Sequence, residues 1–131
     1  MCKVSTLNKE LLQNYLRKRH SVDKLVVYLV FTTKYRRKLF TGLMIGQLRE
    51  AFESACVKLE SELIEMDGEQ DHVHLLILYP PKLLISVIVN NFKAVSSRIL
   101  RLQNTYLTRL SKSSTLWSCT YFACNYWRCD N

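Results

Sequence analysis

The run Leu25-Val26-Val27-Tyr28-Leu29-Val30-Phe31-Thr32-Thr33 constrains the fold of this chain more than any other stretch. It is β-branched and aromatic throughout, which is the composition of a central strand buried in a sheet. The rest of the chain supplies neighbours for it. Met44, Leu48, Phe52, Ala55 and Leu59 step by three or four, with Gln47, Arg49, Glu50 and Glu53 between them, so they form the apolar stripe of an amphipathic helix. Residues 62–66 alternate as a strand, and Asp67-Gly68-Glu69-Gln70 carries turn chemistry. His72 and the apolar run that follows it to Tyr79 form the next strand, which makes an antiparallel hairpin. Pro80-Pro81 stops that strand. Ile85, Ile88, Phe92, Val95 and Ile99 then recur at helical intervals, residues 103–115 read as loop, and residues 117–124 have the aromatic content of a last strand.

The order strand, helix, strand, strand, helix, strand is the split βαβ arrangement. The expected fold is therefore α+β: a ferredoxin-like βαββαβ single domain, an antiparallel sheet with two helices on one face. Its limits are set at residues 23–124, after a basic lead-in at 1–22 whose residues 8–19 have helical spacing, and before an aberrant tail at 125–131. That fold carries RNA-binding modules, small-molecule regulators and nucleases alike, so function has to come from particular residues.

Charge narrows the partner. Nineteen Lys and Arg against eleven Asp and Glu leave +8, and the excess is grouped at Arg17-Lys18-Arg19, at residues 34–38 and at residues 93–101. A polyanion is implied, and nucleic acid suits it better than a membrane, because no apolar stretch approaches the roughly 20 residues of a spanning helix. The amino terminus lacks the apolar core of a secretory signal, so a cytoplasmic protein without disulfides is expected, its five cysteines read as ordinary thiols.

Asp71-His72-Val73-His74 is hardest to explain by folding alone. A strand repeats every two residues, so His72 and His74 share a face with Cα atoms roughly 6.5 Å apart, close enough to share one divalent ion. The competing reading is a pair of strand-edge histidines with satisfied hydrogen bonds. Asp71 falls on the opposite face of a regular strand and is read as structural, or as a partner of the ligands.

Four stretches fit together: Leu29-Val30-Phe31-Thr32-Thr33-Lys34-Tyr35-Arg36-Arg37, Asp71-His72-Val73-His74-Leu75-Leu76, Phe92-Lys93-Ala94-Val95-Ser96-Ser97-Arg98 and Leu116-Trp117-Ser118-Cys119-Thr120-Tyr121-Phe122. In order and interval they resemble the small single-tyrosine HUH transposases of bacterial insertion sequences. The resemblance implies a homodimer that recognises DNA hairpins and cuts and rejoins single-stranded transposon ends through a 5′-phosphotyrosine. It places His72 and His74 as ligands of Mg²⁺ or Mn²⁺, with imidazole suiting Mn²⁺ better. It sets Lys34, Arg36 and Arg37, and Lys93, Ser96, Ser97 and Arg98 of a Lys-x-x-Ser-Ser-Arg helix, against DNA phosphates. Trp117, Tyr121 and Phe122 read as core of the last strand, with stacking on unpaired bases as the alternative. Tyr28 stands where many relatives carry a further histidine, so no role is carried over to it.

The family pattern breaks after Phe122. Relatives continue with a Gly-Gly turn and a helix bearing Tyr-x-x-x-Gln, which brings the nucleophile and usually a third metal ligand. This sequence has no glycine after Gly68 and no Tyr-x-x-x-Gln, and Tyr126 is a poor substitute. If the Arg128 codon is AGG, a one-base shift of the codons for Asn-Tyr-Trp-Arg-Cys restores two glycines, so the tail is expected to be read out of frame. The resemblance then implies either a transposase with an incomplete active site or a non-catalytic binder of hairpin DNA.

Overall fold

The computed structural model describes residues 24–107 and 115–125. Strands β1 (Leu25–Thr32), β2 (Glu62–Gly68), β3 (His72–Tyr79) and β4 (Phe122–Asn125) form one sheet, joined through helices α1 (Gly42–Lys58) and α2 (Ile85–Gln103). The strand order is β2-β3-β1-β4, and every neighbouring pair is antiparallel. This is the α+β arrangement expected, with the β-branched run of β1 in the interior of the sheet between β3 and β4. The expected lead-in helix at 8–19 and Tyr126 lie outside the described residues.

Alternation along β1 and β3 decides where the helices go. Val27, Leu29 and Phe31 of β1 and Val73, Leu75, Ile77 and Tyr79 of β3 share one buried cluster with Leu48 and Phe52 of α1 and Ile88, Phe92 and Leu100 of α2. Both helices therefore cover one face of the sheet. Rings of Phe31, Phe52, Phe92 and Trp117 pack edge-on or tilted at centroid distances of 5.4–6.4 Å. Cutting Phe52 back to Ala would cost about 3–5 kcal/mol. The alternate residues, Tyr28, Val30 and Thr32 on β1 and His72 and His74 on β3, lie on the opposite face, which neither α1 nor α2 covers and on which Val26, Leu76 and Leu78 are buried.

Local chemistry fixes the element ends. Thr41 caps α1, its Oγ1 accepting from Met44 N at 3.2 Å. Beyond α1, Glu60 takes a left-handed conformation (φ 55°) while Ser61 N donates to Cys56 O at 2.9 Å, closing the helix. Gly68 is closely approached: a Cβ there would meet Ile45 Cδ1 of α1 at 2.8 Å and would require that side chain to shift.

Three elements differ from the sequence reading. Asp67 and Gly68 belong to β2, with a register irregularity between Leu63 and Glu65, so Asp67 is paired opposite His74 instead of lying in a turn. The last strand starts at Phe122; Trp117 joins the sheet only through an isolated bridge to Thr33. On α2 the buried stripe runs Ile88, Phe92, Ser96, Leu100, one residue round from the predicted Val95 and Ile99.

Candidate functional site

The two histidines lie where their spacing put them. His72 is paired opposite Thr32 and His74 opposite Val30, on the face opposite α1 and α2. Their ring centroids are 4.8 Å apart and the rings are nearly perpendicular, at 85°. Two imidazoles bound to one ion through metal–nitrogen bonds of about 2.1 Å have centroids roughly 4.5–5 Å apart, so the pair fits a shared divalent cation.

Each ring is held at Nδ1. His72 Nδ1 donates to Asp71 Oδ1 at 2.7 Å, and Asp71 Oδ2 accepts from Arg36 Nε at 3.2 Å. The hydrogen bond from His72, followed by the contact with Arg36, holds the Asp71 carboxyl below the usual carboxylate range. His74 Nδ1 lies 2.5 Å from the Tyr28 hydroxyl, with the two rings stacked at 5.8 Å. Burial lowers the His74 pKa, aided by the charge of His72 and opposed by Asp67 and Glu69. Neutral imidazole is the form that binds metal. No hydrogen bond reaches either Nε2 among the described residues, and no third His, Cys, Asp or Glu among them completes a cluster of three. An ion held here would keep positions for water or substrate oxygen.

Beyond the end of β1, the basic loop turns sharply. Tyr35 and Arg36 both have left-handed backbone (φ 62° and 54°), held by Thr33 Oγ1 donating to Arg37 O at 2.7 Å and Arg37 Nε donating to Lys34 O at 3.3 Å. The turn leaves Tyr35 79% exposed, with Lys34 Nζ 5.3 Å and Arg37 Cζ 5.9 Å from its ring centre. Lys34 and Tyr35 border an open groove of about 680 Å³, whose other walls are Asn90, Lys93, Ala94 and Ser97 of α2 and the segment 115–119. Arg36 is exposed and joins this loop to the histidines through Asp71.

The Lys-x-x-Ser-Ser-Arg stretch is split by the structure. Ser97 lines the groove and Arg98 is exposed. Ser96 is fully buried and its Oγ accepts from Trp117 Nε1 at 2.9 Å, which corrects its assignment to a phosphate-binding face. Lys93 borders the groove, yet its Nζ donates to Ser118 O at 2.7 Å and Thr120 O at 3.1 Å and lies over the rings of Phe31 and Tyr121. Burial lowers its pKa, the nearby Cys119 acting the other way. Lys93 thus pins the segment ahead of β4 to α2. Of the three aromatics in that region Trp117 is core, whereas Tyr121, ahead of the strand, and Phe122, opposite Val30 on the face away from the helices, are 40% and 45% exposed. The thiol reading holds for Cys56 and Cys119, while Cys124 is disulfide-bonded.

Sequence reasoning missed Tyr28. The signal lay in the register: β1 and β3 as adjacent antiparallel strands bring Tyr28 diagonally beside His74, 46 positions away.

The domain is an antiparallel α+β sheet with a His-x-His pair on the face opposite its two helices and a basic loop at the end of β1. Residues 21–127 match the family described as "Transposase IS200 like", and the chain belongs to that family. The transposase for insertion sequence element IS200 of Salmonella typhimurium is 27% identical over 95 residues, which are 72% of this chain and 62% of that protein, less than two thirds of its length. The ISDra2 transposase TnpA of Deinococcus radiodurans is 27% identical over 100 residues, 76% of this chain and 71% of that protein. Among solved structures, a chain described as a transposase from Deinococcus radiodurans R1 superposes with a TM-score of 0.73 at 25% identity, covering 79% of both chains. A REP-associated tyrosine transposase bound to a REP hairpin has a TM-score of 0.57 at 13% identity over 78% of this chain and 56% of that one, a likeness of fold. No helix among the described residues is long and apolar enough to cross a membrane.

Proposed function

We propose that this chain is a hairpin-binding member of the IS200-like transposases that holds a divalent ion between His72 and His74 beside single-stranded DNA. The observation that carries the reading is the pair itself: two imidazoles on one face, 4.8 Å apart, each fixed at Nδ1 with Nε2 left for a ligand. Such an ion, when bound, polarises a phosphate and steadies the charge that develops on it. Lys34, Arg37, Ser97 and Arg98 supply cations and a hydroxyl to neighbouring phosphates, and Arg36 and Asp71 tie that basic edge to His72.

Strand cleavage needs a tyrosine nucleophile. The family resemblance sets it in a Tyr-x-x-x-Gln helix, and no such sequence follows Phe122 here. The roles proposed for residues 24–125 are therefore hairpin and metal binding, with no claim on the cleavage step. The same resemblance makes the chain a homodimer, which light scattering of the free protein reads directly.

Fluorescence anisotropy tests the reading with a DNA hairpin carrying a single-stranded tail and with a scrambled strand of the same composition. The hairpin is expected to bind at least tenfold more tightly. Equal affinity for both strands overturns the hairpin reading.

A further inference from the structure

His72 and His74 are held at Nδ1 by partners of different chemistry. The Asp71 carboxylate only accepts, so the proton of His72 sits on Nδ1 and its lone pair on Nε2. The Tyr28 hydroxyl can donate or accept, so His74 has two tautomers open to it. If Tyr28 donates, the ring proton sits on Nε2 and His74 cannot ligate. If Nδ1–H donates to Tyr28, Nε2 carries the lone pair.

We infer that Tyr28 is the positioning residue of His74, accepting from Nδ1–H and so committing Nε2 to a divalent cation, as Asp71 does for His72. The inference rests on the metal reading of the histidine pair. Three further observations support it. Tyr28 stacks on the imidazole at 5.8 Å, and Phe122 of β4 meets its far side edge-on at 6.3 Å, so the phenol has one orientation. Strand pairing to Leu76 and Cys124 fixes its backbone on both sides. A cavity of about 170 Å³ borders Tyr28 and His74 and is lined also by Glu65 and Asp67, giving the phenol proton carboxylate or water acceptors once its oxygen has turned to accept.

The test is a Co²⁺ titration of the whole chain, read by the visible absorption of the bound ion, for wild type, Tyr28→Phe and His74→Ala. Tyr28→Phe removes one oxygen and keeps the ring, and circular dichroism with thermal melting establishes that it folds. It is expected to weaken Co²⁺ binding about 10–100-fold and to change the absorption envelope, His74→Ala weakening it further. Long-range ¹H–¹⁵N correlation of wild-type protein with Zn²⁺, which needs no variant, is expected to show His74 protonated at Nδ1. Tyr28→Phe with wild-type affinity and spectrum, or His74 protonated at Nε2 in the Zn²⁺ form, overturns the role of Tyr28 and leaves the metal site standing. Wild type binding Co²⁺ no better than His74→Ala overturns the metal reading and this inference with it.

Discussion

Asp71 Oδ1 accepts a 2.7 Å hydrogen bond from Nδ1 of His72, and the same carboxylate reaches Arg36 in the basic loop. One acidic side chain thus orients an imidazole and anchors a cation of the proposed DNA-binding edge. Asp71→Ala is expected to lower Mn²⁺ affinity about 10–100-fold, measured by calorimetry, because nothing then selects the His72 tautomer that binds metal. Asp71→Asn, which keeps the shape but loses the charge, is expected to fall between Ala and wild type.

The two serines of the α2 stretch should separate stability from binding. Ser96→Ala leaves the buried Trp117 N–H without its acceptor and is expected to cost about 1–3 kcal/mol in urea denaturation. Ser97→Ala, at the groove, is expected to change stability by less than about 0.5 kcal/mol and to weaken hairpin binding.

A similar contrast separates Lys34 from Lys93. Lys34→Ala is expected to reduce the slope of log affinity against log salt by about one, as loss of one phosphate contact should. Lys93→Met keeps the alkyl packing over Phe31 and Tyr121 but loses both carbonyl partners. It is expected to leave the salt slope unchanged and to speed hydrogen exchange at the Ser118 amide, which donates to Thr32 O at the end of β1.

Cys56 offers a prediction in pH. Burial, with Glu53 nearby, pushes its thiol up to about 12 from an ordinary 9.0. The unfolded chain therefore loses this proton at lower pH than the folded one. The stabilisation is complete below pH 9 and is lost as pH climbs towards 12, so Cys56→Ala should flatten this part of the alkaline stability profile. Peptide mapping after alkylation at pH 8 is expected to find Cys119 modified in the folded protein and Cys56 only after unfolding.

The sheet and the histidine pair were legible because each rests on a short repeat. Period two in β1 and β3 puts His72 and His74 on one face whatever the rest of the chain does. Ser96 was misplaced because a helix stripe is broad: Val95 and Ile99 fit the apolar period as well as Ser96 and Leu100. Only the indole N–H of Trp117, supplied by a distant segment, makes a buried serine favourable there. The late start of β4 escaped notice for a related reason. Trp117 satisfies strand propensity, yet it is drawn under α2 by Phe31, Phe40 and Phe52, and Lys93 then holds the following carbonyls away from the ladder. The contact between Tyr28 and His74 requires knowing which strands are adjacent, and no local pattern carries that.

Calorimetric titration of the chain with Mn²⁺, beside a His72→Ala/His74→Ala double variant of unchanged circular dichroism, tests the histidine site most directly. One ion per chain in the wild type and none in the variant is the expected result. Equal Mn²⁺ binding by the two proteins, or no binding by either, would contradict a metal centre at His72 and His74.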